Sequence, residues 1–156
     1  MGKISTKKLT SKSGDQVQVR FGGSSNAYEG YVEINVNGQG WKGVCDDSFD
    51  MDDAQVICRM AGFEKGAAKA HIKSQPFGYG SSKSKFAADN LECKGDEANI
   101  GDCKRNAWND ENCSIKEWAG VTCVNQEVSL LGHCKDRNFY LLDTNIFDIR
   151  LDYSKN

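Results

Sequence analysis

Five aspartates lie between two cysteines in the stretch VCDDSFDMDDAQVIC. Dense carboxylates are a feature of calcium-binding EF-hand loops, but DDSFDMDDAQVI lacks the glycine at loop position 6 and the glutamate at position 12. Part of the acidity has a structural interpretation, because Asp50 can cap a helix whose first turn carries Asp52 and Asp53 near the positive end of the helix dipole. Asp46 and Asp47 precede that helix and need another explanation.

The cysteines predict disulfides rather than a zinc site. There is no CxxC pair, and the chain has only two histidines. Disulfides imply an oxidising compartment. Six cysteines allow 15 pairings, and spacing alone does not choose among them. The seventh, Cys134, follows the others in a stretch of different character, so we expect it to be free, bonded to another chain, or bonded to a region outside this sequence. The seven are Cys45, Cys58, Cys93, Cys103, Cys113, Cys123 and Cys134.

No arrangement of residues typical of an enzyme is visible. The sequence contains no glycine-framed serine, no Cys–His pair with a third orienting residue and no metal-hydrolase motif. The histidines, His71 and His133, are interpreted as surface or packing residues. The sequence therefore predicts a protein without catalytic activity of its own.

The charge balance indicates no preference for nucleic acid. The formal net charge is -2, from 20 basic and 22 acidic residues, and no apolar run reaches the roughly 18 residues that a membrane span requires. Lysines do cluster after the acidic stretch. They form either a solvated face or a contact surface for a polyanion, for which the candidates are Lys69, Lys73, Lys83 and Lys85.

These residues must be positioned by a mixed set of strands and a helix. Alternating apolar residues predict strands at 17–21, 28–36 and 41–45, with the sequence NGQG as a hairpin turn before the third strand. A helical period then runs from Asp50 to a stop at Gly62. The remaining elements are a loop-rich segment, a short helix and a closing strand, at residues 64–85, 95–106 and 118–124. No internal repeat is visible.

The predicted organisation is one domain with two ends of different character. Residues 1–15 are polar and basic and are interpreted as a disordered leader or an artificial chain end. The domain itself is predicted at residues 16–124. Residues 125–156 form a C-terminal extension whose role the sequence does not define.

Four segments together closely resemble the scavenger receptor cysteine-rich (SRCR) family in its group A, six-cysteine form: GWKGVCDDSFDMDDAQVICRMAGF, FGYGSSKSKFAADNLEC, GDEANIGDC and EWAGVTC. The resemblance covers about residues 17–124 and departs from the family at Phe49, where a tryptophan is usual. It implies a compact α+β fold, in which a curved antiparallel β-sheet cradles one α-helix, with a second short helix and long loops. The disulfides it implies are Cys45–Cys113, Cys58–Cys123 and Cys93–Cys103.

The resemblance also implies divalent-cation sites, commonly occupied by calcium. Three carboxylates leave coordination positions for water or for an anionic group of a ligand. The alternative is that the paired aspartates cap turns and face solvent. The residues carried over for the first site are Asp46, Asp47 and Glu117. Those carried over for a second site are Asp89, Asn90 and Asn112.

The leading hypothesis is a non-catalytic extracellular recognition module that binds protein, glycan or polyanionic ligands with the help of calcium. It would be secreted or lie on the extracellular face of a membrane protein. The alternative is a structural or regulatory accessory domain of a larger secreted enzyme or multidomain adhesive protein, with Cys134 available for a contact between chains or domains.

Overall fold

The structure is a computed structural model, and the residues that it describes fall within the unit Met1–Gln126. The described residues are 9–73, 75–81 and 85–125. The predictions for Lys83, for Cys134 and for nearly all of the C-terminal extension lie outside them. No helix in the described part is long and apolar enough to cross a membrane.

Seven strands form one sheet in the described residues. Its main path runs β1-β2-β3-β4-β6, while β7 pairs with both β3 and β5. All pairs are antiparallel except β4 with β6. The strands are β1 (Leu9–Thr10), β2 (Gln16–Gly22), β3 (Glu29–Val36), β4 (Trp41–Val44), β5 (Ala67–His71), β6 (Phe86–Ala88) and β7 (Gly120–Cys123).

The β2–β3–β4 meander confirms the strands predicted from alternation. In β2, Val17, Val19 and Phe21 are buried, while the residues between them are more exposed, as expected when one face of a strand packs on the core. The turn between β3 and β4 has positive φ at Asn37 (52°) and Gly38 (76°). Both residue types tolerate this conformation, which two-residue hairpin turns require.

The helix α1 (Met51–Met60) begins as the aspartate pattern predicts. The Asp50 carboxylate accepts hydrogen bonds from the backbone N–H groups of Asp52 (2.8 Å) and Asp53 (3.3 Å). The Asp53 carboxylate accepts the Asp50 N–H in return at 2.9 Å, which completes a capping box. After the C-cap at Ala61, Gly62 turns the chain away with a φ of 94°.

Asp53 also connects this helix to a distant loop. It is fully buried, and its second carboxylate oxygen accepts the backbone N–H of Cys93 at 2.7 Å. Burial raises the pKa of Asp53 from 3.8 to about 6, although the hydrogen bonds from Cys93 and Asp50 oppose the rise. The folded chain therefore holds the Asp53 proton at a pH where the unfolded chain has released it.

We expect this proton to make stability fall as pH rises from about 4 to about 6, because in that window the folded state binds more protons than the unfolded state. The contribution of Asp53 to the free energy of unfolding should drop by about 3 kcal/mol. Urea unfolding at several pH values measures it. Asp53→Asn should remove this slope and add a pH-independent cost, since the amide nitrogen cannot accept the Asp50 N–H. Equal slopes in the two proteins would contradict the prediction.

The buried apolar side chains form two clusters. The larger one packs α1 against β5, β7 and β2, through buried residues such as Ile57, Val121 and Val19. The smaller one contains Trp118, whose indole contacts Phe86 with ring centroids 5.1 Å apart. A Cβ at Gly43 would lie 2.8–3.0 Å from these two rings. This lack of space explains why β4 has a glycine at position 43, next to the Trp118 indole.

Three disulfides hold the loops to this frame, and they are the three pairs that the family resemblance implies. Two close long segments of the chain, with sequence separations of 68 and 65 residues, and the third spans 10. They are Cys45–Cys113, Cys58–Cys123 and Cys93–Cys103.

The structure differs from the sequence prediction in three segments. Residues 9–15, assigned above to a leader, belong to the fold, because β1 pairs with β2 and Asp15 accepts a hydrogen bond from the Trp108 indole at 2.9 Å. The helix predicted at 95–106 is a single 3-10 turn, Ile100–Asp102. Inside the loop-rich segment the chain forms β5 and, just beyond it, β6. These short strands are stabilised by pairing with distant strands rather than by their own pattern.

Candidate functional site

The backbone brings the first paired aspartate beside the distant glutamate. Cys45 forms an antiparallel bridge with Trp118, and the Ala119 N–H donates to the Val44 carbonyl at 2.9 Å. One residue further, the Asp46 N–H donates to the carbonyl of Glu117 at 3.0 Å. The predicted members of the first site therefore lie on adjacent backbone segments.

The carboxylates of Asp46 and Glu117 are each held by a loop amide. The Asp46 carboxylate accepts the backbone N–H of Lys73, which follows β5. The Glu117 carboxylate accepts the N–H of Ser114, while its own N–H donates to the Ser114 carbonyl at 2.9 Å. One oxygen of each group is used in this way, so each carboxylate retains capacity for a further partner.

Asp47 lies between the two predicted sites. One of its carboxylate oxygens is within 4.8 Å of an oxygen of Asp89, and both oxygens are also within 4.8 Å of the sulfurs of the Cys45–Cys113 bridge. Those sulfurs are joined to each other, so the carboxylates are the only charged donors of this group. Burial raises the pKa of Asp47, and the negative charges of Asp89 and Glu117 raise it further. Its carboxylate accepts no hydrogen bond from a described residue.

Asp89 is the most deeply buried of these acids, with 1% of its surface exposed. It accepts hydrogen bonds from the Asn90 N–H at 2.6 Å and from the Asn106 amide at 3.5 Å. A buried carboxylate facing another carboxylate is costly unless a cation or a proton offsets the repulsion. Asn90 follows it directly with a φ of 49°, and Asn112 is exposed next to Cys113.

The geometry adds one relation that sequence reasoning missed. The two sites were predicted as separate sets, yet Asp47 of the first meets Asp89 of the second. This approach depends on the parallel pairing of β4 with β6, which places the ends of these strands together. Because this pairing is long-range and β6 has three residues, the local pattern does not indicate it.

A second acidic group near a disulfide is a poor candidate. Glu97 lies within 4.8 Å of the sulfurs of Cys93 and Cys103. Its carboxylate already accepts the backbone N–H groups of Lys94 and Gly95 at 2.9–3.0 Å. The group therefore has a structural role in the loop, and its only charged oxygen donor is this one side chain.

Three of the four predicted polyanion-binding lysines are described, and all three are exposed. Lys69 lies on β5, Lys73 follows that strand, and Lys85 precedes β6. None of them forms an ion pair with a described residue.

Comparison with known proteins agrees with this architecture. The family model "Scavenger receptor cysteine-rich domain" matches residues 21–124. A scavenger receptor cysteine-rich domain superfamily protein of Patiria pectinifera is 40% identical over 114 residues, 73% of this chain and 10% of that protein. The macrophage receptor MARCO of Mus musculus is 37% identical over 106 residues, 68% of this chain and 18% of the receptor.

A longer match is to lysyl oxidase homolog 2 of Gallus gallus, which is 33% identical over 148 residues, 90% of this chain and 18% of that protein. The chain thus spans between 10% and 18% of the length of these relatives.

Two solved structures have the same fold. The third SRCR domain of murine neurotrypsin is 38% identical with a TM-score of 0.59, over 69% of this chain and 95% of that one. The dimeric form of the SRCR domain of mouse MARCO is 36% identical with a TM-score of 0.54, over 62% and 86%. The family match, the α+β sheet with one helix and the three disulfides agree, and this chain belongs to the scavenger receptor cysteine-rich domain family.

Proposed function

We propose that this domain is a non-catalytic extracellular recognition module in which a calcium ion at the Asp46–Asp47–Glu117 carboxylates contributes directly to ligand binding. Domains of this family are extracellular, generally non-catalytic ligand-recognition modules of receptors and other multidomain proteins, and they bind protein or polyanionic ligands. The proposal adds the cation, its residues and its role.

The observation that carries the proposal is the close approach of Asp47 and Asp89. Their carboxylate oxygens lie within 4.8 Å of each other, and Glu117 is near enough to raise the pKa of Asp47. Like charges this close are destabilising unless they are neutralised, and calcium, a hard cation with oxygen ligands, would do so. Asp89, Asn90 and Asn112 are then proposed to support a second site that shares Asp47.

The mechanism would be electrostatic. Side chains of this domain satisfy only part of the coordination shell of calcium, so an anionic group of a ligand can occupy the rest. Acidic side chains of proteins, carboxylated or sulfated glycans and other polyanions carry such groups. The neighbouring loops would then supply specificity, and Lys69 on β5 with Lys73 and Lys85 in the adjoining loops would attract anions over longer distances.

Calcium titration by calorimetry tests this site. We expect binding to the unmodified chain and a loss of affinity of about tenfold or more on Asp47→Asn or Glu117→Gln, because each change removes a charged ligand. Asp52→Asn is the matched control, since Asp52 lies in the same acidic stretch but in the first turn of α1. Absence of calcium binding, or equal affinities for all four proteins, would refute the proposal.

A second function is supported by the relative named lysyl oxidase homolog 2, whose match covers 90% of this chain. The domain could serve as a structural or regulatory accessory of a larger secreted enzyme or adhesive protein. The domain composition of the complete gene product distinguishes the two. A catalytic domain in the same chain would favour the accessory function, which does not require calcium-dependent ligand binding.

A further inference from the structure

Exposed apolar side chains concentrate around the candidate cation site. Four large apolar residues are exposed in the described part of the chain: Met51 (41%), Ile72 (57%), Tyr79 (41%) and Ile115 (42%). Single exposed apolar residues are ordinary on protein surfaces. Three of these four, however, belong to segments that contact Asp46, Glu117 or Trp118, and grouped apolar exposure marks an interaction site.

Backbone hydrogen bonds connect the chain neighbours of the two isoleucines to the acidic residues. Ile72 precedes Lys73, whose N–H donates to the Asp46 carboxylate. Ile115 lies in the turn from Ser114 to Glu117, which is closed by the hydrogen bonds between those two residues. The Asp46 N–H donates to the Glu117 carbonyl and so joins both loops.

Tyr79 is positioned by the next element of the same region. The neighbouring Gly80 packs so closely on the Trp118 indole that a Cβ there would lie 2.2 Å from the ring. Trp118 directly follows Glu117, so the segment of Tyr79 and Gly80 packs against the side chain next in sequence to that acid. Ile72, Tyr79 and Ile115 are thus exposed in three segments that contact Asp46, Glu117 or Trp118, and we call these residues together the Ile72–Ile115 surface.

Each isoleucine of this surface is followed by an exposed lysine. Lys73 and Lys116 are exposed, and neither forms an ion pair with a described residue. A sulfated polysaccharide could use the lysines and the cation but would leave the isoleucines in water. A protein segment can bury the apolar side chains and pair its acidic groups with the lysines, as in interfaces with an apolar centre and a charged rim.

We propose that the Ile72–Ile115 surface binds a protein segment in which acidic side chains are flanked by apolar side chains. This inference rests on the proposed function for the cation, to which one acidic side chain of the partner would bind. It goes beyond that function by selecting protein over polysaccharide and by assigning Ile72 and Ile115 to the contact. Tyr79 completes the apolar edge.

Binding of two synthetic peptides and heparin to the full chain tests the inference. In the first peptide aspartates alternate with leucines, and in the second serines replace the leucines at equal charge. We expect the leucine peptide to bind more tightly than the serine peptide and more tightly than heparin. The double variant Ile72→Ser/Ile115→Ser should weaken binding of the leucine peptide by about tenfold or more. Met51→Ser, with a comparably exposed apolar residue on α1, is the matched control.

The double variant should retain the calcium affinity and the heparin affinity of the unmodified chain. Undetectable binding of the leucine peptide, equal binding of both peptides, preferential binding of heparin, or no effect of the double variant would overturn the inference. Calorimetry with calcium alone keeps the two proposals separate. Calcium binding with no role for Ile72 and Ile115 refutes only the protein surface. If calorimetry detects no calcium binding and the leucine peptide still binds in EDTA through these isoleucines, only the proposal of the cation is refuted.

Discussion

Replacing both cysteines of the Cys45–Cys113 bridge with alanine is expected to lower the free energy of unfolding by about 4 kcal/mol on the chain-entropy model. The bridge joins residues 68 positions apart, so its loss restores much conformational freedom to the unfolded chain. Urea unfolding of the full chain under non-reducing conditions measures the change. A loss below about 1 kcal/mol would contradict the prediction.

The same double replacement is also expected to abolish calcium binding at the proposed site. Cys45 precedes Asp46 and Asp47, and Cys113 begins the loop that leads to Glu117, so the bridge keeps the carboxylates together. Alanine at both Cys93 and Cys103 is the control. That bridge spans only 10 positions, and its loss should cost less, about 3 kcal/mol. It should leave calcium affinity unchanged in the folded protein.

Trp118→Ala is expected to destabilise the domain by about 3–5 kcal/mol. The side chain is fully buried and contacts Tyr31 and Phe86, with ring centroids 5.2 and 5.1 Å away. Gly43 and Gly80 leave room for the indole, and alanine would leave a cavity between them. Thermal or urea unfolding measures the loss.

Trp118→Phe provides the contrast. The indole nitrogen has no hydrogen-bond partner among the described residues, so phenylalanine removes only apolar contact there, at about 2 kcal/mol for three ring atoms. A cost for phenylalanine equal to that for alanine would indicate that the indole N–H, rather than ring volume, stabilises this cluster. A negligible cost for both would refute the role of Trp118 in the fold.

Elements stabilised by neighbouring residues could be predicted from the sequence. Asp50 and Asp53 cap α1 through hydrogen bonds within four positions, and Asn37 with Gly38 forms the predicted turn. Elements stabilised from a distance were missed or misplaced. Leu9 and Thr10 form a strand only because Val17 and Gln16 lie opposite them, and a polar leader carries no pattern that indicates this partner.

The same distinction between local and long-range interactions applies to the candidate site. Asp46, Asp47 and Glu117 were identified as a set from the family resemblance, and the structure places Asp46 and Glu117 on adjacent segments. The approach of Asp47 to Asp89 was not anticipated, because it depends on the pairing of β4 with β6. Ile72 and Ile115 were not singled out at all, since nothing in their local sequence indicates that they are exposed beside the acids.

The sequence by itself determined the helix cap, the hairpin turn, the meander strands and, through its cysteine-anchored segments, the family resemblance. These depend on interactions between residues a few positions apart or on motifs that can be read directly. The tertiary structure decided which carboxylates meet, which apolar side chains are exposed in the neighbouring segments and which glycines make room for Trp118. Such relations are distances between remote parts of the chain, and they are set by strand pairing and burial rather than by spacing along the sequence.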